Sequence, residues 1–443
     1  MNRTIYDTYV KILEKELIVA LGCTEPIAIA YAGAKVREVL GRMPERCEVL
    51  CSGNIVKNVK GVTVPNSDGM KGIDAAAVLG IAGGDAGRNL AVLENVAPEQ
   101  IALTKKLVAE DFCSCGLIEG VENLYIIITA YAGEESASVE IRNFHSNITK
   151  ITKNGRVIHS AEKAFGVCDL EPAGVTALTA EAEEKNEADI PDKSLLNVKA
   201  ILEFGECVEI SDIHEVIARQ VRCNSVICEE GLRNPWGAQV GRTLLDSFGT
   251  EQVVNRAKAA AAAGSDARMS GCPMPVVINS GSGNQGMTVS LPLIEYAKEY
   301  SISEDKMFRA LAVANLISIH QKKYIGSLSA YCGAVSAACG SAVGIAWMLG
   351  SSYEEICGII TDTITTVGGM VCDGAKPSCA AKIACAVDCA LTALHLSRRG
   401  RVFQPGEGLV KNTVEETIQS VGRMGREGMK ATDIEILNIM LEN

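Results

Sequence analysis

Apolar residues recur at helical spacing along most of the chain, and only two short regions depart from it. Apolar positions three and four residues apart predict an amphipathic helix over residues 5–20 and a second helix over residues 26–40. Residues 47–72 are predicted to be extended, with polar turns. Helical patterns dominate after residue 195. There the predicted helices span 196–204, 211–221, 238–247, 250–262, 288–300, 305–318, 329–349, 352–365, 377–398 and 413–425.

Alternating apolar runs interrupt this helical pattern in the second hundred residues. Residues 124–129 and 136–142 predict one hairpin, and a second is predicted around Asn154-Gly155, a pair that favours tight turns. We therefore expect a small α+β insertion with an antiparallel sheet over roughly residues 85–180.

The predicted fold class is mostly α with an α+β insertion. Residues 1–84 and 195–443 are expected to form a large helical catalytic domain, and residues 85–194 an inserted subdomain with an antiparallel sheet and a linker. The linker is predicted over residues 181–193, which are charged and contain Pro191.

Composition refines this picture and excludes two partner classes. The 443 residues are 47% hydrophobic but only 4% aromatic, with 42 glycines, which predicts tightly packed helices and is compatible with a homo-oligomer. The net charge of −12 and the lack of a basic cluster argue against nucleic-acid and membrane partners. The N-terminus has no apolar signal core, so we expect a cytoplasmic protein. Residues 334–349 are apolar but too short to span a membrane.

Seventeen cysteines are the most informative part of the composition. In a reducing cytosol, cysteines favour metal or catalytic roles over disulfides, and most act as small buried apolar residues. Cys332, Cys372 and Cys379 stand out, because three thiolates can hold three irons of a [4Fe–4S] cluster and leave the fourth open as a Lewis acid. Cys339 shares a helix face with Cys332 and is an alternative ligand. Without a C-x-x-C pair, spacing alone also allows buried structural cysteines.

The candidate cysteines are predicted to lie at helix starts. Cys332 and Cys379 fall in predicted first turns, and Cys23 directly precedes the helix that contains Pro26. Helix N-termini stabilise negative charge and lower thiol pKa values. We therefore expect several helix starts to converge on one pocket that suits anionic groups.

Three stretches of the chain closely resemble the L-cysteine desulfidase family. They are LGCTEP at residues 21–26, YCGA at residues 331–334 and VCDGAKPSC at residues 371–379, and the resemblance covers nearly the whole chain. A more distant resemblance is to the α portion of iron–sulfur L-serine dehydratases, through NSGSGNQG at residues 279–286 and the Cys372-Asp373 pair. Asp373-Gly374 stands where that family has Asp-Pro, which puts serine as the substrate in doubt.

The resemblance implies an oxygen-sensitive [4Fe–4S] lyase of cysteine catabolism, which converts L-cysteine to pyruvate, ammonia and hydrogen sulfide. It implies Cys332, Cys372 and Cys379 as the cluster ligands and a catalytic role for Cys23. Cys23 is expected to be the base, while a fourth cluster ligand or a sulfur relay remain open. A thiol whose pKa is lowered by a helix start would suit a base at neutral pH.

A glycine-rich loop is the candidate binding site for the amino-acid substrate. Backbone N–H groups of residues 279–286 and the helix start that follows could hold a carboxylate. The candidate residues there are Asn279, Ser280, Gly281 and Asn284. Without the resemblance, an ordinary glycine-rich turn explains the same pattern. Lys322 could contact the substrate or simply be a cation at the end of the helix over residues 305–318, and the second interpretation is preferred. Lys382 could bind a carboxylate or be a solvated lysine.

Three functions are compatible with the sequence. The first is cysteine desulfidase, and the second is an iron–sulfur dehydratase of L-serine or another β-substituted amino acid. The third, of another class, is a non-catalytic metal-binding regulatory protein, although no helix-turn-helix with a basic face is found.

Overall fold

The protein is described by a computed structural model that covers residues 1–161, 191–326 and 328–442. The predicted linker over residues 181–193 lies outside these residues except for its last three. The described chain is mostly helical with one mixed six-stranded sheet and one two-stranded antiparallel sheet, so the predicted fold class is confirmed.

The first third of the chain supplies most of the strands. Its helices are α1 (Arg3–Glu16), α2 (Thr24–Leu40), α3 (Gly53–Val59), α4 (Ile73–Gly83) and α5 (Pro98–Ala109). Its strands are β1 (Val19–Leu21), β2 (Arg46–Cys51), β3 (Cys113–Leu117), β4 (Tyr125–Ala132), β5 (Glu135–Arg142), β6 (Ile148–Lys153) and β7 (Arg156–Ser160).

The large sheet has the strand order β3-β2-β4-β5-β6-β7, and only its β2–β3 pair is parallel. Both predicted hairpins are confirmed as β4–β5 and β6–β7. Asn154 and Gly155 both have positive φ, at 50° and 76°, as a two-residue hairpin turn requires.

The large sheet contains a strand, β2, that precedes the insertion predicted over residues 85–180. One hydrophobic core contains α2, β2, α3 and α4 together with β4 and β5. Strand β2 precedes residue 85, so the boundary predicted there does not coincide with an edge of this core. The extended conformation predicted for residues 47–72 is wrong over residues 53–59, because Ser52 is the N-cap of α3 rather than part of a turn.

The rest of the chain forms a helical body around a second, larger core. Its elements are α6 (Val198–Cys207), α7 (Ile210–Arg233), α8 (Val240–Phe248), α9 (Val253–Met269), β8 (Pro275–Val277), α10 (Gly283–Glu299), α11 (Glu304–Ile325), α12 (Gly333–Met348), α13 (Tyr353–Val367), α14 (Cys379–Ser397), α15 (Val414–Arg423) and α16 (Lys430–Leu441).

Long-range pairing changes two predicted helix ends. The N-terminal helix stops at Glu16 because the next residues form β1, which pairs antiparallel with β8. The helix predicted from residue 329 begins at Gly333, since the residues before it pair with residues 370–372.

Among the described residues, α14 is long and apolar enough to cross a membrane by length and composition. Half of that apolar window is buried inside the protein, and α14 packs against α9, α12 and α13. This is the environment of a core helix.

Close helix packing should make the fold sensitive to single added methyl groups. A Cβ added at Gly80 of α4 would lie 2.1 Å from the backbone oxygen of Ala30 in α2, whereas at Gly61 it would meet nothing within 4 Å. We expect Gly80→Ala to destabilise the protein by about 1–3 kcal/mol, because two backbones must separate. Thermal unfolding followed by circular dichroism would measure it. The control Gly61→Ala should leave the midpoint nearly unchanged, and equal effects would contradict the packing argument.

Candidate functional site

A short antiparallel pairing brings two distant cysteines together. Tyr331 pairs with Val371. The backbone N–H of Cys332 donates to Met370 O at 3.0 Å, and that of Cys372 donates to Ala330 O at 2.6 Å. Cys332 is also the N-cap of α12, so the pairing fixes where that helix begins.

Cys379 reaches the same place by a tight turn. The turn uses Gly374 at φ 94°, where an added Cβ would lie 2.3 Å from the backbone oxygen of Lys57. Cys379 is the first residue of α14, and its Sγ accepts a hydrogen bond from the N–H of Lys376 at 3.5 Å.

The three thiols lie where the two hydrophobic cores meet. Cys332 and Cys372 belong to the helical core, whereas Cys379 packs against the core that covers the sheet. Burial first, and then the neighbouring Cys372 and Cys379 thiols, raise the pKa of Cys332 to about 12. Burial likewise raises the pKa of Cys379, with Cys372 adding to it. Cys332 and Cys379 therefore both lie close enough to Cys372 for its charge to raise their pKa values.

The alternative ligand Cys339 is not part of this group. It lies on α12, completely buried, where burial raises its pKa to about 12 although a hydrogen bond with Gln321 acts in the opposite direction. Cys385 on α14 is exposed. The structure thus brings together the three cysteines that the sequence singled out and separates them from their nearest competitors.

The donor set fits a cluster better than a single ion. All three cysteines are free thiols, and in the described part of the chain no three His, Cys, Asp or Glu side chains converge as the ligands of one metal ion. In a [4Fe–4S] cluster each thiolate binds a different iron, so the sulfurs need not meet at one point. The three cysteines are therefore the donor type that an iron–sulfur cluster takes from a protein.

Three lysines surround the thiols. Lys322, on α11, is 6% exposed, and burial lowers its pKa to about 8 although Cys372 and Cys332 act in the opposite direction. Lys382 forms an ion pair with Asp373, and Lys376 donates to the Asp373 backbone oxygen. These cations can balance the negative charge of thiolates or of an anionic ligand.

Cys23 lies at the N-cap of α2, beside the glycine-rich loop. Strands β1 and β8 bring the two segments together. The Thr24 hydroxyl donates to Gly281 O at 2.9 Å. Arg268 donates from Nε to Gly22 O at 2.9 Å and from its terminal nitrogen to Asn284 Oδ1 at 3.1 Å.

A buried carboxylate accompanies the Cys23 thiol. Cys23 Sγ lies 2.9 Å from Glu25 Oε2, and His145 Nε2 lies 3.8 Å from Glu25 Oε1, beyond hydrogen-bond distance. Burial would raise the pKa of Glu25, but interactions with His145 and Cys23 lower it to about 2. Burial first, and then the charge of Glu25, raise the pKa of Cys23 well above its usual value.

The expected lowering of thiol pKa values at these helix starts is therefore wrong. Cys23, Cys332 and Cys379 do lie at the starts of α2, α12 and α14, but burial raises all three pKa values. The loss of water around a thiolate outweighs the field of the helix end.

Hydrogen bonds to α11 anchor the loop of residues 279–286. Ser280 and Gly281 have positive φ, at 48° and 79°. The Asn279 amide donates to Asn315 Oδ1 at 2.9 Å, and its oxygen accepts from Ser280 Oγ at 3.0 Å and Ser318 Oγ at 3.1 Å. The Asn279 side chain thus anchors the loop to α11. On the side that faces Cys23, Gly281 O accepts a hydrogen bond from Thr24 and Asn284 Oδ1 accepts one from Arg268.

Two contacts connect the loop and Cys23 with the three thiols. The Gln285 side chain would lie 2.5 Å from a Cβ added at Gly333, directly after Cys332. Its Oε1 is buried without a hydrogen-bond partner in the part of the chain that the structure describes. On the other side, Asn58 of α3 lies 3.5 Å from Glu25 Oε1, and its neighbour Lys57 contacts Gly374. Neighbouring residues thus link Cys23 and the loop to the segments that contain the three thiols.

Sequence reasoning missed Glu25, His145, Gln285 and the burial of Lys322. The available signal for Lys322 was its spacing: Asn315, Ser318 and Lys322 lie three and four residues apart, and all are buried on α11. A polar stripe on an otherwise apolar helix indicates a buried polar site.

Comparison with known proteins finds a family match over most of the chain. Residues 87–438 match the family described as serine dehydratase alpha chain, a range that contains the three cysteines and the glycine-rich loop. The chain is 48% identical to a UPF0597 protein of Lachnoclostridium phytofermentans, over 99% of this chain and 100% of that protein. It is 46% identical to UPF0597 protein DSY1109 of Desulfitobacterium hafniense, over 98% and 97%, respectively.

The family match indicates a lyase-type enzyme and is consistent with an iron–sulfur cofactor. The distant resemblance to iron–sulfur serine dehydratases is thereby confirmed. Both the family match over most of the chain and the full-length similarity to the UPF0597 proteins lead to one conclusion: the chain belongs to the serine dehydratase alpha chain family.

Proposed function

We propose that the protein catalyses α,β-elimination of L-cysteine to pyruvate, ammonia and hydrogen sulfide. The observation that carries this proposal is the grouping of Cys332, Cys372 and Cys379 at one junction, continuous with Cys23 and the glycine-rich loop. In sum, L-cysteine and water are consumed and the three products are released.

Cys332, Cys372 and Cys379 would hold a [4Fe–4S] cluster. When bound, such a cluster supplies a Lewis acid for the departing heteroatom. The protein's own contribution is to exclude water from the thiols, all of which lie in or against a hydrophobic core. Its lysines supply the compensating positive charge.

The substrate carboxylate would bind between Lys322 and the start of α10. Lys322 is a buried cation on which the charges of Cys372 and Cys332 act. Gln285 lies in the first turn of α10, next to Gly333, which directly follows Cys332. Its side-chain oxygen is buried without a hydrogen-bond partner among the described residues, which suits the substrate ammonium group. The N–H groups at the start of this 17-residue helix favour an anion.

Cys23 would take up the α-proton. Its thiolate is scarce because burial and the Glu25 carboxylate disfavour negative charge there, but the same effects make it strongly basic once formed. An amino-acid α-proton is weakly acidic and needs such a base. Glu25, at 2.9 Å, accepts the S–H in the resting enzyme and fixes the direction of the sulfur.

L-Serine is the second candidate substrate, and the family match favours it. The same residues would serve, since a β-hydroxyl replaces the β-thiol as the leaving group. Asp373-Gly374, which replaces the Asp-Pro pair of the iron–sulfur serine dehydratases, lies in the turn that positions Cys379. In that turn Gly374 packs on the backbone of Lys57.

Anaerobic purification followed by assay tests the proposed reaction. We expect iron and acid-labile sulfide in the protein, broad visible absorbance, and a kcat/KM for L-cysteine above that for L-serine. Higher kcat/KM for L-serine would identify a dehydratase instead. A colourless, inactive protein after anaerobic reconstitution would contradict both. Cys372→Ser should abolish the absorbance, whereas Cys385→Ser, exposed on the same helix as Cys379, should retain it.

Replacing Cys23 should separate catalysis from cofactor binding. We expect Cys23→Ala to keep the iron content and lower kcat by on the order of 10²–10⁴-fold, as when a general base is lost. Glu25→Gln removes a charge that raises the Cys23 pKa, so that pKa should fall and the ascending limb of the kcat–pH profile, where Cys23 loses its proton, should move to lower pH. Exposed Cys207→Ala is the control. Loss of iron from Cys23→Ala would point to ligation and contradict the proton-transfer role.

Lys322 should matter for substrate binding. We expect Lys322→Met to raise KM for L-cysteine by about 10- to 100-fold with the iron content unchanged, as when a charged hydrogen bond is removed. Lys323→Met is the matched control, because the neighbouring lysine donates to Leu196 O at 2.7 Å on the other side of α11. Loss of iron without a change in KM would mean that Lys322 balances the cofactor charge rather than the carboxylate.

A further inference from the structure

The two oxygens of the buried Glu25 carboxylate have different surroundings. Oε2 lies 2.9 Å from Cys23 Sγ and 3.2 Å from Thr24 Oγ1, so this oxygen already has close partners. The side-chain contacts of Oε1 among the described residues are longer, at 3.5 Å to Asn58 Nδ2 and 3.8 Å to His145 Nε2. Hydrogen bonds from nitrogen to oxygen are usually about 2.7–3.2 Å long, so Oε1 keeps the capacity to accept from a closer donor.

Oε1 lies beside the glycine-rich loop. His145 belongs to the turn between β5 and β6, and a Cβ added at Gly281 would lie 3.3 Å from its ring carbon Cε1. His145 Nε2 is buried and has no hydrogen-bond partner within residues 1–161, 191–326 and 328–442. Glu25 Oε1 and His145 Nε2 thus lie 3.8 Å apart, without a hydrogen bond between them, next to the loop that is the candidate substrate site.

Glu25 places a negative charge inside the protein. Burial opposes its ionisation, but interactions with His145 and Cys23 lower the pKa of Glu25 to about 2, so the carboxylate is charged at neutral pH. The guanidinium of Arg268, whose charge also acts on Cys23, is bound to Gly22 O and Asn284 Oδ1. A buried carboxylate is stabilised by charged donors, and a cationic group of a ligand can supply one.

The proposed reaction brings a cation close to this carboxylate. When Cys23 takes up the α-proton, the substrate Cα must approach its sulfur to about 3–3.5 Å. Because the N–Cα bond is about 1.5 Å long, the ammonium nitrogen then lies within about 5 Å of the sulfur. Glu25 Oε2 is 2.9 Å from the same sulfur. The carboxylate is therefore within reach of the ammonium group.

We propose that Glu25 binds the α-ammonium group of the substrate through Oε1 and makes the site specific for amino acids. The inference rests on the proposed function, because that function makes Cys23 the neighbour of the substrate Cα. An ammonium group has three N–H donors, so it can donate to Glu25 and to Gln285 together. Lys322 and Glu25 would then bind the two charged ends of one zwitterion. Acids with a hydroxyl group or an acylated nitrogen at Cα leave Glu25 without an ionic partner and are disfavoured.

An ion pair with His145 is the competing role for Glu25. An imidazolium at 3.8 Å would balance the charge of the carboxylate without any ligand. That role gives Glu25 no means of distinguishing an ammonium group from a hydroxyl group. Two ligands that differ only in this group therefore separate the two roles.

Ligand binding to the anaerobic, full-length holoprotein tests the proposal without turnover. L-Alanine and L-lactate share a carboxylate and a methyl group, differ in their ammonium and hydroxyl groups, and have no leaving group. We expect isothermal titration calorimetry to give a lower Kd for L-alanine than for L-lactate. In Glu25→Gln the Kd for L-alanine should rise about 10- to 100-fold, as when a charged hydrogen bond is lost, while that for L-lactate changes little. Glu38→Gln is the matched control, because Glu38 is exposed on the same helix and pairs with Lys35.

Three results would overturn the proposal. Equal Kd values for the two ligands in the unchanged protein would show that the site does not recognise the ammonium group. Equal weakening of both ligands in Glu25→Gln would mean that Glu25 only maintains the shape of the site, and unchanged binding of both would leave it the ion pair with His145. The elimination reaction is judged separately: if Glu25 discriminates between these ligands but L-cysteine releases no sulfide, the reaction is wrong and the specificity stands.

Discussion

The antiparallel pairing of Tyr331 with Val371 is the contact on which the candidate site depends. It joins two segments that are 40 residues apart in the sequence and places Cys332 and Cys372 on either side of one bridge. The same pairing starts α12 at Gly333 and leads into the turn that returns Cys379. Because the bridge lies where the two hydrophobic cores meet, the packing of both halves of the chain determines the positions of the three thiols.

Burial, rather than the field of the helix ends, determines the ionisation of these groups. It raises the pKa of Cys23, Cys332 and Cys379 although each lies at a helix start. A thiol with a raised pKa stays protonated until a metal displaces its proton, and thiols that coordinate a metal are deprotonated outright. The buried Lys322 offsets the charge that such thiolates would bring into the core.

Features encoded by neighbouring residues could be predicted from the sequence. The hairpin at Asn154-Gly155 and the helix that ends at Leu40 rest on local turn and capping chemistry. Features that depend on distant partners could not: β1 exists because β8 pairs with it, and Lys322 is buried because neighbouring elements cover its face of α11. The cysteine spacing identified three candidates, but only packing separates Cys332 from Cys339.

Helix α3 lies between two sets of cysteines with opposite environments. On one side Lys57 contacts the turn before Cys379, and on the other Val56 and Lys60 line the cavity that contains Cys113 and Cys115. In the first set Cys332 is buried, Cys372 and Cys379 are half-buried against the two cores, and lysines lie nearby, which suits thiolates that hold an anionic cofactor. The second set lies on an edge strand with one exposed thiol, where a soluble reagent can approach. Access to solvent therefore differs for the same type of side chain on the two sides of a helix of seven residues.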